Sequence, residues 1–293
     1  MKRILLFAVT NLAVLALLSV VVFVLQGVFG VHFPQNGLGG LLLFAAVFGF
    51  GGALVSLALS KWTAKHMMGV HVITQPQSDA ERWLVDTVGR LAGQARIGMP
   101  EVGIFDAEEM NAFATGARRD ASLVAVSTGL LRGMSRPQVE AVLGHEITHV
   151  ANGDMVTLAL LQGVLNTFVI FLSRIIGGIV DRAIFRNDRA GSGIGYFVTT
   201  LLAQVVLGIL ATLIVSWYSR QREFRADHGG ASLAGKAGMI SALEALKQSH
   251  GEPMPTQLQA FGINTGKAGG FMRLFMSHPP LDERIAALRA ETP

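Results

Sequence analysis

Four long apolar runs, at residues 4–30, 37–60, 155–180 and 194–218, constrain this chain more than any other feature. A helix rises about 1.5 Å per residue, so about 20 apolar residues cross a hydrocarbon core roughly 30 Å thick. Each run reaches that length, and Arg174 is the one charged residue inside them. A backbone in lipid must satisfy its own hydrogen bonds, so the runs are expected as membrane-spanning helices. Composition agrees: 51% of the 293 residues are hydrophobic and 15% are charged, against about 25% charged in an average soluble protein.

The runs divide the chain into a two-span hairpin (1–60), a polar block (61–154), a second transmembrane pair (155–218) and a polar end (219–293). Residues 4–30 are too long for a signal-peptide core and end without a small-x-small cleavage site, so an uncleaved anchor is expected. Lys2, Arg3, Lys61 and Lys65 flank the first hairpin and place those ends in the cytoplasm. Residues 181–193 carry Arg182, Arg186 and Arg189 on the expected outer side, against that rule. Arg174 is costly in lipid and should face a helix, water or a headgroup. Small residues at Gly52, Ser56 and Ser60 offer a face for close helix approach. The net charge of +4 suits anionic lipid, and no basic stripe interleaved with aromatics suggests nucleic acid. With no cysteine there is neither a disulfide nor a thiolate ligand.

The first polar block reads as α+β. Residues 70–74, 101–106, 111–115 and 122–128 are strand candidates, and 78–94 is a helix capped by Ser78. Residues 116–120 join the last two strands as a hairpin. A helix follows, opened by Ser135, Pro137 and Gln138 and stopped by Asn152, Gly153 and Asp154. It carries His145-Glu146-Ile147-Thr148-His149, an H-E-x-x-H. Residues four apart share a helix face, so both imidazoles can meet one metal ion. Glu146 can then take a proton from water without binding the metal.

Three fixed residues recur by chance, so the motif needs a third ligand. Glu223 is the candidate, with Asp227 one turn on. A carboxylate completes a two-His-one-Glu catalytic zinc set. Asp227 can accept a hydrogen bond from the free ring N–H of a ligating His and fix its tautomer. Residues 219–230 follow the fourth run without a break, so that span can continue as the Glu223 helix. Residues 232–249 read as an amphipathic helix, 251–271 as a mobile loop and 281–291 as a final helix.

The segments HEITHVANGD, REFRADHGGA and SHPPLDERI resemble the three motif blocks of the HtpX-type membrane zinc metallopeptidases, relatives of the CAAX prenyl proteases. The resemblance covers nearly the whole chain. It implies one Zn²⁺ on His145, His149 and Glu223, Glu146 as catalytic residue, and a role in protein quality control at the bacterial inner membrane. It also places His278 and Arg284 near the site, where His278 can donate to a developing oxyanion. Asn111, Ala112 and Phe113 resemble the family's substrate-side strand, since an edge strand can pair with an extended substrate.

The expected fold is an α-helical membrane protein with four spans and a cytoplasmic, α+β, zincin-like metalloprotease domain built from two segments. The expected substrates are membrane proteins or unfolded polypeptides presented at the bilayer. A CAAX-type processing peptidase shares these motifs. A membrane scaffold with a structural metal is the non-enzymatic alternative, although structural sites fill all four positions with protein ligands. An intramembrane protease would need H-E-x-x-H inside a span, and Arg132, Arg136, Glu140, Asn152 and Asp154 flank it too closely.

Overall fold

The computed structural model describes residues 37–186, 193–249 and 274–290. In chain order its elements are α1 (Leu38–Met67), β1 (His71–Val72), α2 (Asp79–Gln94), β2 (Glu101–Phe105), β3 (Ala112–Thr115) and β4 (Leu123–Ser127). There follow α3 (Thr128–Gly133), α4 (Arg136–Asn152), α5 (Asp154–Phe185), α6 (Ile194–Ala234), α7 (Lys236–Ser249) and α8 (Leu281–Ala290). Contacts divide the chain into two compact units. One takes 58–157 and 216–293; the other takes residues up to 57 and 158–215.

In the second of these, α1, α5 and α6 are the three described helices long and apolar enough to cross a membrane. The expected first span, 4–30, lies outside the described residues, so three spans are seen where four were expected. Their outward faces are apolar, as lipid requires: Leu202 and Val206 on α6 are 62% and 58% exposed. Among the described residues nothing lies within 4 Å of where a Cβ on the expected Gly52 would sit. Close helix approach occurs where Gly49 of α1 meets Gly163 and Thr167 of α5, closely enough that a Cβ on Gly49 would lie 2.9 Å from the Gly163 carbonyl oxygen. Arg174 turns to a helix, its guanidinium 4.7 Å above the Phe44 ring of α1. Residues 181–185, expected in a loop, continue α5.

The other unit is a four-stranded sheet with helices packed on it. The strand order is β1-β2-β4-β3, with β2 and β4 parallel and the other pairs antiparallel. Strand β4 is central and buried along its whole length. Its residues alternate between two cores. Val124 and Val126 face α2, α4, α7 and α8, packing with Leu84, Leu143, Leu243 and Leu288. Leu123 and Ala125 face Ala64, Val70 and Phe105. The strand expected at 70–74 shrinks to two paired residues. Asn111 falls just outside β3, although its backbone still pairs with Ser127. The helix expected from 232 begins at Lys236, because Gly235 turns the chain at φ +92° and ends α6 at Ala234.

Lys61 and Lys65, expected on the cytoplasmic side from the charge rule, also have a local use. Lys61 Nζ lies 3.0 Å from Glu101 Oε1, and Lys65 Nζ lies 2.5 Å from Oε2. They tie the end of α1 to β2. The expected loop 251–271 lies outside the described residues.

Candidate metal centre

Helix α4 is set before the site is built. Ser135 N–H donates to Gln138 Oε1 at 2.9 Å, and Pro137 occupies the first turn. Gln138 Nε2 also donates to Ser241 Oγ at 2.9 Å and anchors α7 to the helix start. Gly153, at φ +70°, ends the helix. Val139, Leu143 and Ile147 bury one face of α4 in the core. That leaves His145 and His149 on a face met by α6. The two helices touch at glycines. A Cβ on Gly144 would lie 3.3 Å from Gly230 Cα, and one on Gly230 would lie 2.9 Å from the His145 nitrogen. Larger residues there would hold Glu223 away from the imidazoles.

Three donors converge as a result. His145 Nε2 and His149 Nε2 are 3.1 Å apart. Glu223 Oε2 is 3.5 Å from the first, and Oε1 is 3.4 Å from the second. Ligands at zinc-type bond lengths of about 2.0–2.1 Å stand about 3.3–3.4 Å apart when tetrahedral. Glu223 is fully buried, and among the described residues its Oε1 has no hydrogen-bond partner. A buried carboxylate oxygen beside two facing ring nitrogens is a costly arrangement unless a cation lies among them. These residues therefore fit a metal ion.

Each of the three donors is held from behind. Asp227 Oδ1 is 2.9 Å from His145 Nδ1. Arg284 grips Asp227 with two hydrogen bonds, Nε to Oδ2 at 2.7 Å and Nη2 to Oδ1 at 2.5 Å. Asp154 Oδ2 lies 2.6 Å from His149 Nδ1. His278 Nδ1 lies 2.8 Å from Glu223 Oε2. Burial pushes the His149 pKa down, but the hydrogen bonds to Asp154 and Glu223 outweigh it and lift the pKa to about 9. His145 is likewise raised: burial opposes, and Asp227 and Glu223 prevail. Glu146 follows His145 on α4 and is half-buried. Its charge acts on His149 and Arg284, so its carboxylate is close to the donors without being one of the three.

Residues 78–292 match the model of peptidase family M48. The chain belongs to that family. As an M48 member it is a metalloprotease, and with its apolar helices a membrane protease of bacterial type. It is 62% identical to Protease HtpX of Alkalilimnicola ehrlichii, over 99% of this chain and 98% of that one. It is 60% identical to a Protease HtpX homolog of Thiobacillus denitrificans, over 99% of both. A crystal structure of S. mikatae Ste24p has the same fold, with a TM-score of 0.68 at 18% identity. It aligns with 98% of this chain, which spans 64% of its length.

The structure brings together His145, His149, Glu223, Asp227 and His278 from the sequence expectation. Ala112 and Phe113 lie on β3, an edge of the sheet, with Asn111 just before it. Asp154 was legible only as part of a helix stop. The signal it offered was position alone, a carboxylate directly after the helix-stop glycine. Asp154→Asn is expected to weaken metal binding by about 10–100-fold, the usual effect of losing such a partner. Competition with a chromophoric chelator measures it, and unchanged affinity would remove Asp154 from the site.

Proposed function

We propose that this M48 protease is a zinc endopeptidase that cuts membrane proteins or unfolded polypeptides at the cytoplasmic face of the bacterial inner membrane. Its place there is protein quality control under stress. The observation that carries the reading is the spacing of His145, His149 and Glu223, which matches the edges of a zinc tetrahedron, with Glu146 one residue from the first ligand. Three protein ligands leave one position for chemistry, which a structural site would close.

In this reading His145, His149 and Glu223 hold the zinc. When bound, it supplies Lewis acidity that lowers the pKa of a water to about 7 and polarises a carbonyl. Glu146 takes a proton from the attacking water and returns it to the leaving amine. Asp227, fixed by Arg284, sets the tautomer and tilt of His145, and Asp154 does the same for His149. His278 commits Nδ1 to Glu223, so Nε2, on a side chain 61% exposed, is the atom that can reach a substrate oxygen. Asn111, Ala112 and Phe113 present the free edge of β3 to an extended substrate backbone.

Purified protein is expected to cleave a membrane-protein substrate, to lose that activity to a chelator and to regain it with about one equivalent of zinc. Activity that survives full chelation would overturn the reading. Orientation has its own test, since the chain lacks cysteine. A single cysteine at Met99 should label only from the cytoplasmic side and one at Arg186 only from outside. The reverse pattern would place the site on the other face.

A further inference from the structure

A cavity of about 280 Å³ lies beyond the end of β3 and is unused by the metal centre. One wall is the turn 116–119, which continues β3 directly. The other is Val150, Asn152 and Gly153, immediately past His149, with Met155 and Val156 at the start of α5. Both walls therefore continue elements that build the site: the free sheet edge and the metal helix.

Among the described residues the cavity is lined by Arg118 and Arg119 and by no carboxylate. Among the described residues neither guanidinium has an ion-pair partner, and the nearby acids are engaged elsewhere. Asp120 Oδ1 accepts from Gly98 N–H at 2.9 Å, Glu101 is held by Lys61 and Lys65, and Asp154 is bonded to His149. Arg119 lies over the end of α4, where a Cβ on Gly153 would sit 3.5 Å from its Nη2. The partial negative charge of that helix end steadies the guanidinium without neutralising it. Val150, Met155 and Val156 add an apolar floor. Two arginines lining one cavity with apolar residues suit an aliphatic stem that ends in a carboxylate.

A peptide paired along β3 advances about 3.3 Å per residue. Held at the metal centre and continued past Thr115, it enters this cavity a few residues from the cut bond. We propose that the cavity is a substrate subsite for an acidic side chain, read by Arg118 and Arg119 to one side of the scissile bond. The inference rests on the protease reading and adds a sequence preference to it.

The test uses the full-length enzyme in nanodiscs of neutral lipid, acting on a complex mixture of bacterial peptides whose cuts are mapped by mass spectrometry. For the wild type, Asp and Glu should exceed Asn and Gln by about fivefold at one position near the cut, the size expected of a half-exposed charge pair. The double variant Arg118→Glu, Arg119→Glu should prefer Lys and Arg at that same position. Arg118→Gln with Arg119→Gln should flatten the preference there, and it decides the matter if charge reversal impairs folding. Wild-type cuts indifferent to charge, or variants that keep the wild-type profile, overturn the subsite while leaving the protease reading intact. Absence of any chelator-sensitive cut overturns both. Repeating the assay in nanodiscs containing phosphatidylglycerol separates the remaining occupant. If the variants change the response to anionic lipid and not the cut profile, the cavity holds a lipid phosphate and the subsite is overturned.

Discussion

Glu146→Gln is expected to keep about one metal ion per chain and to lose peptidase activity by about 10²–10⁴-fold, the usual share of a general base. The reasoning is positional. His145 and His149 lie one turn apart on α4 and meet Glu223, whereas Glu146 is the next residue round the helix and is not one of the three converging donors. Gln keeps the volume and the hydrogen-bonding reach but takes no proton. Metal analysis and a peptidase assay on the same preparation check both halves. Self-cleavage gives a second readout that needs no added substrate: wild-type protein should fragment in detergent with zinc, and the Gln variant should stay whole. A variant that binds metal and cuts at the wild-type rate would remove Glu146 from the chemistry. A variant that loses the metal would show instead that Glu146 supports the site.

Glu223→Ala and His149→Ala are each expected to lower the metal content from about one per chain to near zero, because a three-ligand site reduced to two holds zinc poorly. Peptidase activity should go with the metal. Glu223→Ala removes more than a ligand. Glu223 Oε2 also meets His278 Nδ1 at 2.8 Å and lies 3.6 Å from the buried Arg284 Nη1, so that guanidinium loses a carboxylate neighbour and stability should fall as well. Glu223→Gln separates the two effects, since the amide fills the space and is a poor metal ligand. Loss of metal from a Gln variant that melts near the wild-type temperature would establish Glu223 as a ligand. Full metal content in that variant would exclude it.

Much of this was written locally in the chain. The i, i+4 spacing of His145 and His149, and of Glu223 and Asp227, follows from helix geometry alone. The capping residues Ser135 and Gln138 and the stop at Gly153 are equally local, because caps satisfy backbone groups within one turn. The apolar runs at 37–60, 155–180 and 194–218 are local too, since hydrophobic length is a property of consecutive residues, and each lies in a long helix.

What the tertiary structure decided are the pairings between distant segments. Strand β4 slips between β2 and β3, which leaves β3 on an edge of the sheet among the described residues. Nothing in the composition of the three strands sets that order; it follows from burying both faces of β4 at once. Close approach of α4 and α6 depends on Gly144 and Gly230, 86 positions apart, and only their contact lets Glu223 meet the two imidazoles. Arg284 reaches Asp227 across 57 positions because Ile285 and Leu288 seat α8 in the core. Asp154 shows both sides. Its place after Gly153 is local, but its use as the partner of His149 depends on the chain turning back at that glycine, a direction in space that residue order does not state.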